Sequence, residues 1–159
     1  MITYLEMTSP ARLRPRASDD PRFAVREVVV RQWQLNRFLY SLVGASWKWT
    51  DKSSWSDDQW QSYVDSDALR TFVAHYEGSI AGYYELLRDE ARHVQIAYFG
   101  LPPEFIGRGF GGALLTNALR RAWAWDALRV WVHTCTQDHP AALQNYQARG
   151  MVVYKTEED

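Results

Sequence analysis

The chain has 159 residues, 47% hydrophobic and 23% charged, with a formal net charge of −1. That composition excludes a disordered chain, and the near-neutral charge argues against a nucleic-acid partner, which calls for a basic surplus. A single cysteine, Cys135, excludes an internal disulfide and argues against a cysteine-based metal site, so a reducing, cytoplasmic setting without a metal is expected.

The length predicts one domain, 1–159, in which residues 1–22 form an N-terminal strand and loop arm. The opening residues, MITYLEMTSPARLRPR, lack the basic start and apolar centre of a secretory signal. No apolar run approaches the ~18 residues of a membrane span, so no membrane partner is expected. ITYLEMT reads as a short strand, and the proline- and arginine-rich stretch after it reads as a solvated loop. FAVREVVV, residues 23–30, has strand composition. Leu35, Phe38, Leu39, Leu42 and Val43 then recur at helical spacing, with Gly44 as the stop. Ser56-Asp57-Asp58 offers a cap and an acidic first turn for a short helix through Val64. Four of the eight tryptophans, Trp47, Trp49, Trp55 and Trp60, crowd this region, as either core or pocket lining.

The period then changes. LRTFVAHY, a tight EGS turn and IAGYYELL predict a strand pair, and HVQIAYFGL from His93 to Leu101 predicts a third strand in an antiparallel meander. A helix follows over Gly109 to Trp123, then a strand ending at Cys135. A second helix opens at Asp138-His139-Pro140 and ends at Gly150, and MVVYKT is a final strand. This order is mixed α/β or α+β, not a regular βαβ repeat.

FIGRGFGGALL, residues 105–115, places Gly107, Gly109, Gly111 and Gly112 at the start of that longer helix. Gly107, Gly109 and Gly112 satisfy the dinucleotide pattern G-x-G-x-x-G, but five residues separate them from the strand and no acidic residue ends the next strand, so the dinucleotide reading is set aside. The better reading is an anion cup. The first amides of a helix have no helical partners and carry partial positive charge, and glycines let a pyrophosphate approach. Arg108 is expected to add a charged donor.

VQIAYFGLPPEFIGRGFGGALL resembles the core motif of the GCN5-related N-acetyltransferases (GNAT), Q/R-x-x-G-x-G/A, with Ile106 where Gln or Arg is usual. AALQNYQARGM resembles that family's fourth helix through Tyr146, Gly150 and Met151, and His139 stands where Asn is frequent. The resemblance runs from about Phe23 to the end. It implies a mostly antiparallel central sheet flanked by helices, with a V-shaped splay between two central strands, and acetyl-CoA as acyl donor. It implies that Phe99, Gly100 and Leu101 offer backbone groups to the pantetheine arm, with a bulge at Gly100 and the Leu101 amide facing the oxyanion. Cofactor contacts fall on Gly107, Arg108, Gly109, Phe110, Gly111, Gly112, His139 and Asn145. The family fold finishes in a β-hairpin, so a last strand is expected to be missing, lost by truncation, or supplied by a partner in a homodimer.

The resemblance makes Tyr146 the acid that protonates the departing thiolate. Histone-type members carry a glutamate where this chain has Gln95. Glu85, a carboxylate inside the apolar strand GYYELL, is the substitute base, because burial would raise its pKa toward the working pH. His133 is the second choice, and Cys135 is read as an inert thiol. The expected activity is N-acetylation of a small-molecule primary amine by direct attack, in an acceptor pocket formed by the Trp- and Tyr-rich first helices. A non-catalytic acyl-CoA-binding module is the alternative.

Overall fold

The computed structural model describes residues 1–159. Its elements run β1 (Ile2–Met7), β2 (Phe23–Glu27), α1 (Trp33–Gly44), α2 (Asp57–Val64), β3 (Leu69–Tyr76), β4 (Ser79–Arg88), β5 (His93–Gly100), α3 (Phe110–Ala124), β6 (Arg129–Cys135), α4 (Ala142–Ala148) and β7 (Val152–Glu157), with short 3₁₀ turns between some of them. All seven strands join one sheet in the order β2-β3-β4-β5-β6-β1-β7. Every pairing is antiparallel except β5 with β6.

Strand alternation assigns the two faces of the sheet. Phe72, Tyr84, Leu86, Val94 and Ile96 turn toward α3, whose Leu114, Leu115, Ala118, Leu119 and Ala122 form a fully buried stripe at helical spacing. Burial of each such leucine stabilises the fold by about 1.5–3 kcal/mol. Val73 and Tyr83 turn the other way and pack on Leu39 and Val43 of α1. Glu85, two residues beyond Tyr83, therefore faces α1 as well. Helix α2 starts on a reciprocal cap. The Ser56 hydroxyl accepts from the Gln59 amide at 3.2 Å, and the Gln59 side chain accepts from the Ser56 amide at 2.8 Å.

Three expectations change. β2 stops at Glu27, and Val29 and Val30 are 75% and 84% exposed, because the chain leaves β3 once Val28 has paired with Thr71. The bulge lies at Ala97, not Gly100: Glu85 pairs with Tyr98 and Leu86 with Ile96, which leaves Ala97 over, whereas Gly100 stays in register with Tyr83. Gly100 is needed for close approach instead, since a Cβ there would collide with Val43 of α1. Finally, β7 is not left without a strand partner. β1, from the other end of the chain, lies between β6 and β7 and pairs antiparallel with both. Apolar Leu5 and Met7 hold it in the core at 0% and 1% exposure, and the Met1 ammonium meets Asp159 at 2.6 Å.

Candidate active site

β5 and β6 are paired only from His93 to Gln95, against Arg129 to Trp131. Past that point β5 follows β4 while β6 follows β1. Two parallel neighbours that each have a better antiparallel partner diverge, and the sheet opens into a V. A cavity of about 1050 Å³ occupies the opening, near the upper end for a small-molecule site. Phe99, Gly100 and Leu101 on one arm and Val132, His133 and Cys135 on the other line it.

At one end of the cavity stands the N-terminus of α3. Gly109 caps the helix with φ +83°, a left-handed conformation that favours glycine, and neither a side-chain cap nor an acidic residue in the first turn competes for the amides. Gly107, Gly109, Gly111 and Gly112 all reach the cavity wall. Arg108 and Phe110 do not. The Arg108 guanidinium lies over the rings of Tyr76, Phe105 and Phe110, 4.7–5.4 Å from their centroids, and Phe110 is buried in the core, stacked 4.6 Å from Phe23. The cup's charge comes from elsewhere. Arg16 and Arg149 line the cavity, and their side chains crowd Gly112 so closely that a Cβ there would clash with both.

The stretch that reads as a solvated loop thus packs against the cradle. The Arg14 amide donates to the Arg149 carbonyl at 2.9 Å, Arg149 Nε donates to the Arg14 carbonyl at 3.0 Å, and the Arg16 amide donates to Thr116 Oγ1 on α3 at 3.0 Å. Partial burial, and then the charge of Arg16, lower the pKa of Arg149. Two guanidiniums beside unpaired helix amides form a strongly anion-seeking corner.

α4 forms the wall beside the cradle. Asn145 Nδ2 donates to the Gly111 carbonyl at 3.1 Å and so ties α4 to the first turn of α3. His139 Nδ1 accepts from the Ala141 amide at 3.0 Å, and its ring meets Trp47 edge-on at 5.0 Å. Tyr146 is 5% exposed and lies 6.1 Å, ring to ring, from Phe99 across the V. Burial and the nearby Asp138 push its phenol above the ordinary value, so it keeps its proton at neutral pH. His133 is solvent-exposed at the edge of the cavity and packs against Tyr4 at 5.6 Å.

The other end of the cavity is made of side chains. Glu85 is 1% exposed. Its carboxylate accepts from Tyr63 Oη at 2.5 Å and from Asn36 Nδ2 at 2.8 Å, and Asn36 Nδ2 also reaches Thr71 Oγ1 at 2.8 Å. Burial raises the Glu85 pKa above the ordinary carboxylate value, while the bonds from Tyr63 and Asn36 and the charge of Lys52 oppose that rise. Glu85 itself does not reach the cavity wall; Tyr63, bonded to it, does. The carboxylate expected in the pocket stands one phenol behind it. Tyr63, Asn36, Lys52 and Asp51 escape sequence reading because they sit on α1, α2 and the loop between them, with no fixed spacing to β4. Trp47 and Trp49 line the cavity, whereas Trp60 is buried at 2% exposure, so the tryptophan cluster is part wall and part core. No group of three or more His, Cys, Asp or Glu converges as metal ligands, and no helix is long and apolar enough to cross a membrane.

A mixed sheet opened between two parallel neighbours, with a glycine-capped helix aimed into the gap, is the architecture of an N-acetyltransferase. Residues 29–151 match the acetyltransferase (GNAT) family, and the chain belongs to it. An uncharacterized N-acetyltransferase of Mycobacterium tuberculosis is 30% identical over 101 residues, 64% of this chain and 64% of that protein, so the chain matches slightly under two thirds of that relative's length. The mycothiol acetyltransferase of Nocardia farcinica is 40% identical over 81 residues, 51% of this chain and 25% of that protein. Among solved structures, a GCN5-related N-acetyltransferase from Sphaerobacter thermophilus superposes with a TM-score of 0.72 at 16% identity, covering 96% of this chain and 48% of that one. An aminoglycoside acetyltransferase from an uncultured soil metagenomic sample gives 0.67 at 18% identity, covering 89% and 94%. At these identities the structural likeness concerns the fold alone.

Proposed function

We propose that this chain transfers the acetyl group of acetyl-CoA to a primary amine of a small molecule by direct attack. The observation that carries the reading is the continuity of one cavity, from an anion-seeking cradle, through the V between β5 and β6, to a phenol bonded to a buried carboxylate. A donor with phosphates at one end and a thioester at the other fits that run of chemistry.

The α3 amides of the Gly107–Gly112 cradle, with Arg16 and Arg149, hold the pyrophosphate. The pantetheine arm lies along Phe99, Gly100 and Leu101, which β6 leaves unpaired, and the Leu101 amide faces the developing oxyanion. The neutral amine nitrogen attacks the thioester carbonyl carbon, the C–N bond forms and the C–S bond breaks. The proton shed by the amine passes to Tyr63 Oη as the Tyr63 proton moves to Glu85, so the base acts through a phenol. The departing thiolate takes a proton from Tyr146. Such positioned proton transfers contribute about 10²–10⁴-fold each. His133, exposed at the rim, takes no step in this scheme.

The acceptor is not inherited from the relatives. Mycothiol and aminoglycoside acetylation belong to the proteins so named, and the acceptor end of this cavity is built mainly of aromatic rings, which suits a small amine with an apolar body. Calorimetric titration with acetyl-CoA, CoA and NADH tests the donor. Acetyl-CoA binding with no NADH binding is the expected outcome, and folded protein that binds no acetyl-CoA would overturn the reading. An amine screen at saturating acetyl-CoA then separates the enzyme from a non-catalytic acyl-CoA-binding module, in which no amine is turned over.

A further inference from the structure

The loop between α1 and α2 places the Lys52 ammonium inside an aromatic cage. Nζ lies 4.4 Å from the ring centroid of Trp55, 4.8 Å from that of Tyr63 and 4.6 Å from that of Tyr98. It donates to Tyr98 Oη at 2.8 Å and stands 3.5 Å from Asp51 Oδ2, and the side chain is 11% exposed. Two rings, Trp55 and Tyr63, within cation–π reach of one ammonium, with the Tyr98 phenol oxygen and the Asp51 carboxylate on the remaining sides, form a half-enclosed cation site.

The cage is continuous with the chemistry already described. Tyr63, one wall, is the phenol bonded to Glu85. Tyr98, another wall, stands opposite Glu85 in the β4–β5 register, next to the Ala97 bulge and one residue before Phe99. Asp51, which accepts from Tyr40 at 3.1 Å and from Tyr98, is fixed from two sides. Asp51, Lys52, Tyr63 and Tyr98 all line the cavity. Without Lys52, the seat would hold two nearby carboxylates and three rings with no cation among them. What it accepts is visible in what fills it: a primary ammonium on an unbranched carbon chain.

We propose that this cage is the acceptor-amine subsite and that Lys52 is its built-in occupant, which an aliphatic primary amine with unbranched carbons beside the nitrogen displaces before transfer. The assignment rests on the acetyltransferase reading of the cavity. It adds a class of acceptor and an internal competitor that lowers the apparent affinity for every cationic acceptor by the fraction of molecules in which Lys52 is seated. An ammonium leaving the cage toward the thioester gives one proton to bulk water and becomes the neutral nucleophile, and Tyr63, in the cage wall, takes the second proton on attack.

The test uses n-butylammonium as probe and 1-butanol as its uncharged counterpart, read by calorimetry and by the fluorescence of Trp55 and its neighbours. Lys52→Ala and Lys52→Gln both vacate the cation seat, and the glutamine retains a polar tip for Tyr98. At least one folded variant, judged by a wild-type thermal transition, is expected to bind n-butylammonium about tenfold more tightly than wild type, with no gain for 1-butanol. Trp55→Ala in the same background should abolish the gain. Unchanged butylammonium affinity in both variants, or a gain that survives loss of Trp55, overturns the cage. Neither readout needs acetyl-CoA, so the outcomes separate. A protein that binds acetyl-CoA but gains nothing for butylammonium keeps the acetyltransferase reading and loses the cage. One that gains butylammonium but binds no acetyl-CoA loses the acceptor assignment.

Discussion

The two ends of the cavity are built on opposite principles. The cradle is backbone: Gly109 turns the chain at φ +83° and α3 supplies amides with no side-chain competitor. The far end is side chain: Asn36 from α1, Lys52 from a loop, Tyr63 from α2, Glu85 from β4 and Tyr98 from β5 meet with hydrogen bonds of 2.5–2.8 Å. A backbone site binds whatever carries the right anion, so it suits a donor shared by many enzymes. A side-chain site can change its ligand with one substitution, so it suits the acceptor that distinguishes one enzyme from another.

The largest expected effect breaks the cradle. Gly111→Glu sets a carboxylate at the mouth of the cup, and it is a cleaner change than one at Gly109. Gly111 does not have a positive φ, and a Cβ there would meet only Asn145 Nδ2 at an ordinary 3.7 Å. Acetyl-CoA binding by calorimetry should fall below detection while the circular dichroism stays that of wild type. Retained binding would show that the phosphates lie elsewhere. Next comes Tyr146→Phe, which keeps the ring against Phe99 and removes the proton. A drop of about 10²–10⁴ in kcat with little change in KM is expected, and an unchanged kcat would return Tyr146 to a packing role.

The contrast between the two ends also explains what could be read in advance. Glycine spacing, helical periodicity and strand alternation are local, so FIGRGFGG marks a glycine turn that opens a helix, and GYYELL marks a carboxylate on a buried strand. Contacts between distant segments leave no such trace. Nothing local in ARLRPR distinguishes arginines in water from Arg16 folded over α3, because the difference is made by Thr116, 100 residues away. β1 likewise reads as a strand, but its place between β6 and β7 depends on partners more than 120 positions later, Ile2 against Cys135 and Glu157. The Ala97 bulge is equally silent, since alanine is compatible with either register.

Arg16→Ala sharpens the comparison from the cradle side. If the cup's charge comes from the arm and α4 as well as from α3, acetyl-CoA should bind about tenfold more weakly, in line with the loss of one charge-assisted contact. The difference between wild type and variant should shrink as salt is raised, because screening weakens what Arg16 supplies. Arg108→Ala is the internal control. Its guanidinium lies on the rings of Tyr76, Phe105 and Phe110, so the same titration should change little.

The smallest effect is a pH signature in stability, set by Glu85 at the far end of the cavity. Burial raises this carboxyl above its ordinary value, so the folded state favours the protonated form more than the unfolded chain does. Its contribution to stability is fully present below the unfolded pKa and is lost as pH rises through the folded one. Glu85→Gln carries no titration, so its melting temperature relative to wild type should climb across that window, from the ordinary glutamate range upward. Activity runs the other way. The relay through Tyr63 needs the carboxylate, so wild-type kcat should fall as pH is lowered through the raised value, on an acid limb that Glu85→Gln lacks along with most of its rate. Tyr63→Phe removes the link and one of the bonds that hold the Glu85 pKa down but leaves the carboxyl buried; it should lose rate and retain a stability profile that extends to higher pH. Loss of both profiles together in Tyr63→Phe would mean that the phenol only holds the carboxyl in place. A wild-type acid limb that survives in Glu85→Gln would move the base to another group in the cavity, with His133 the first to substitute.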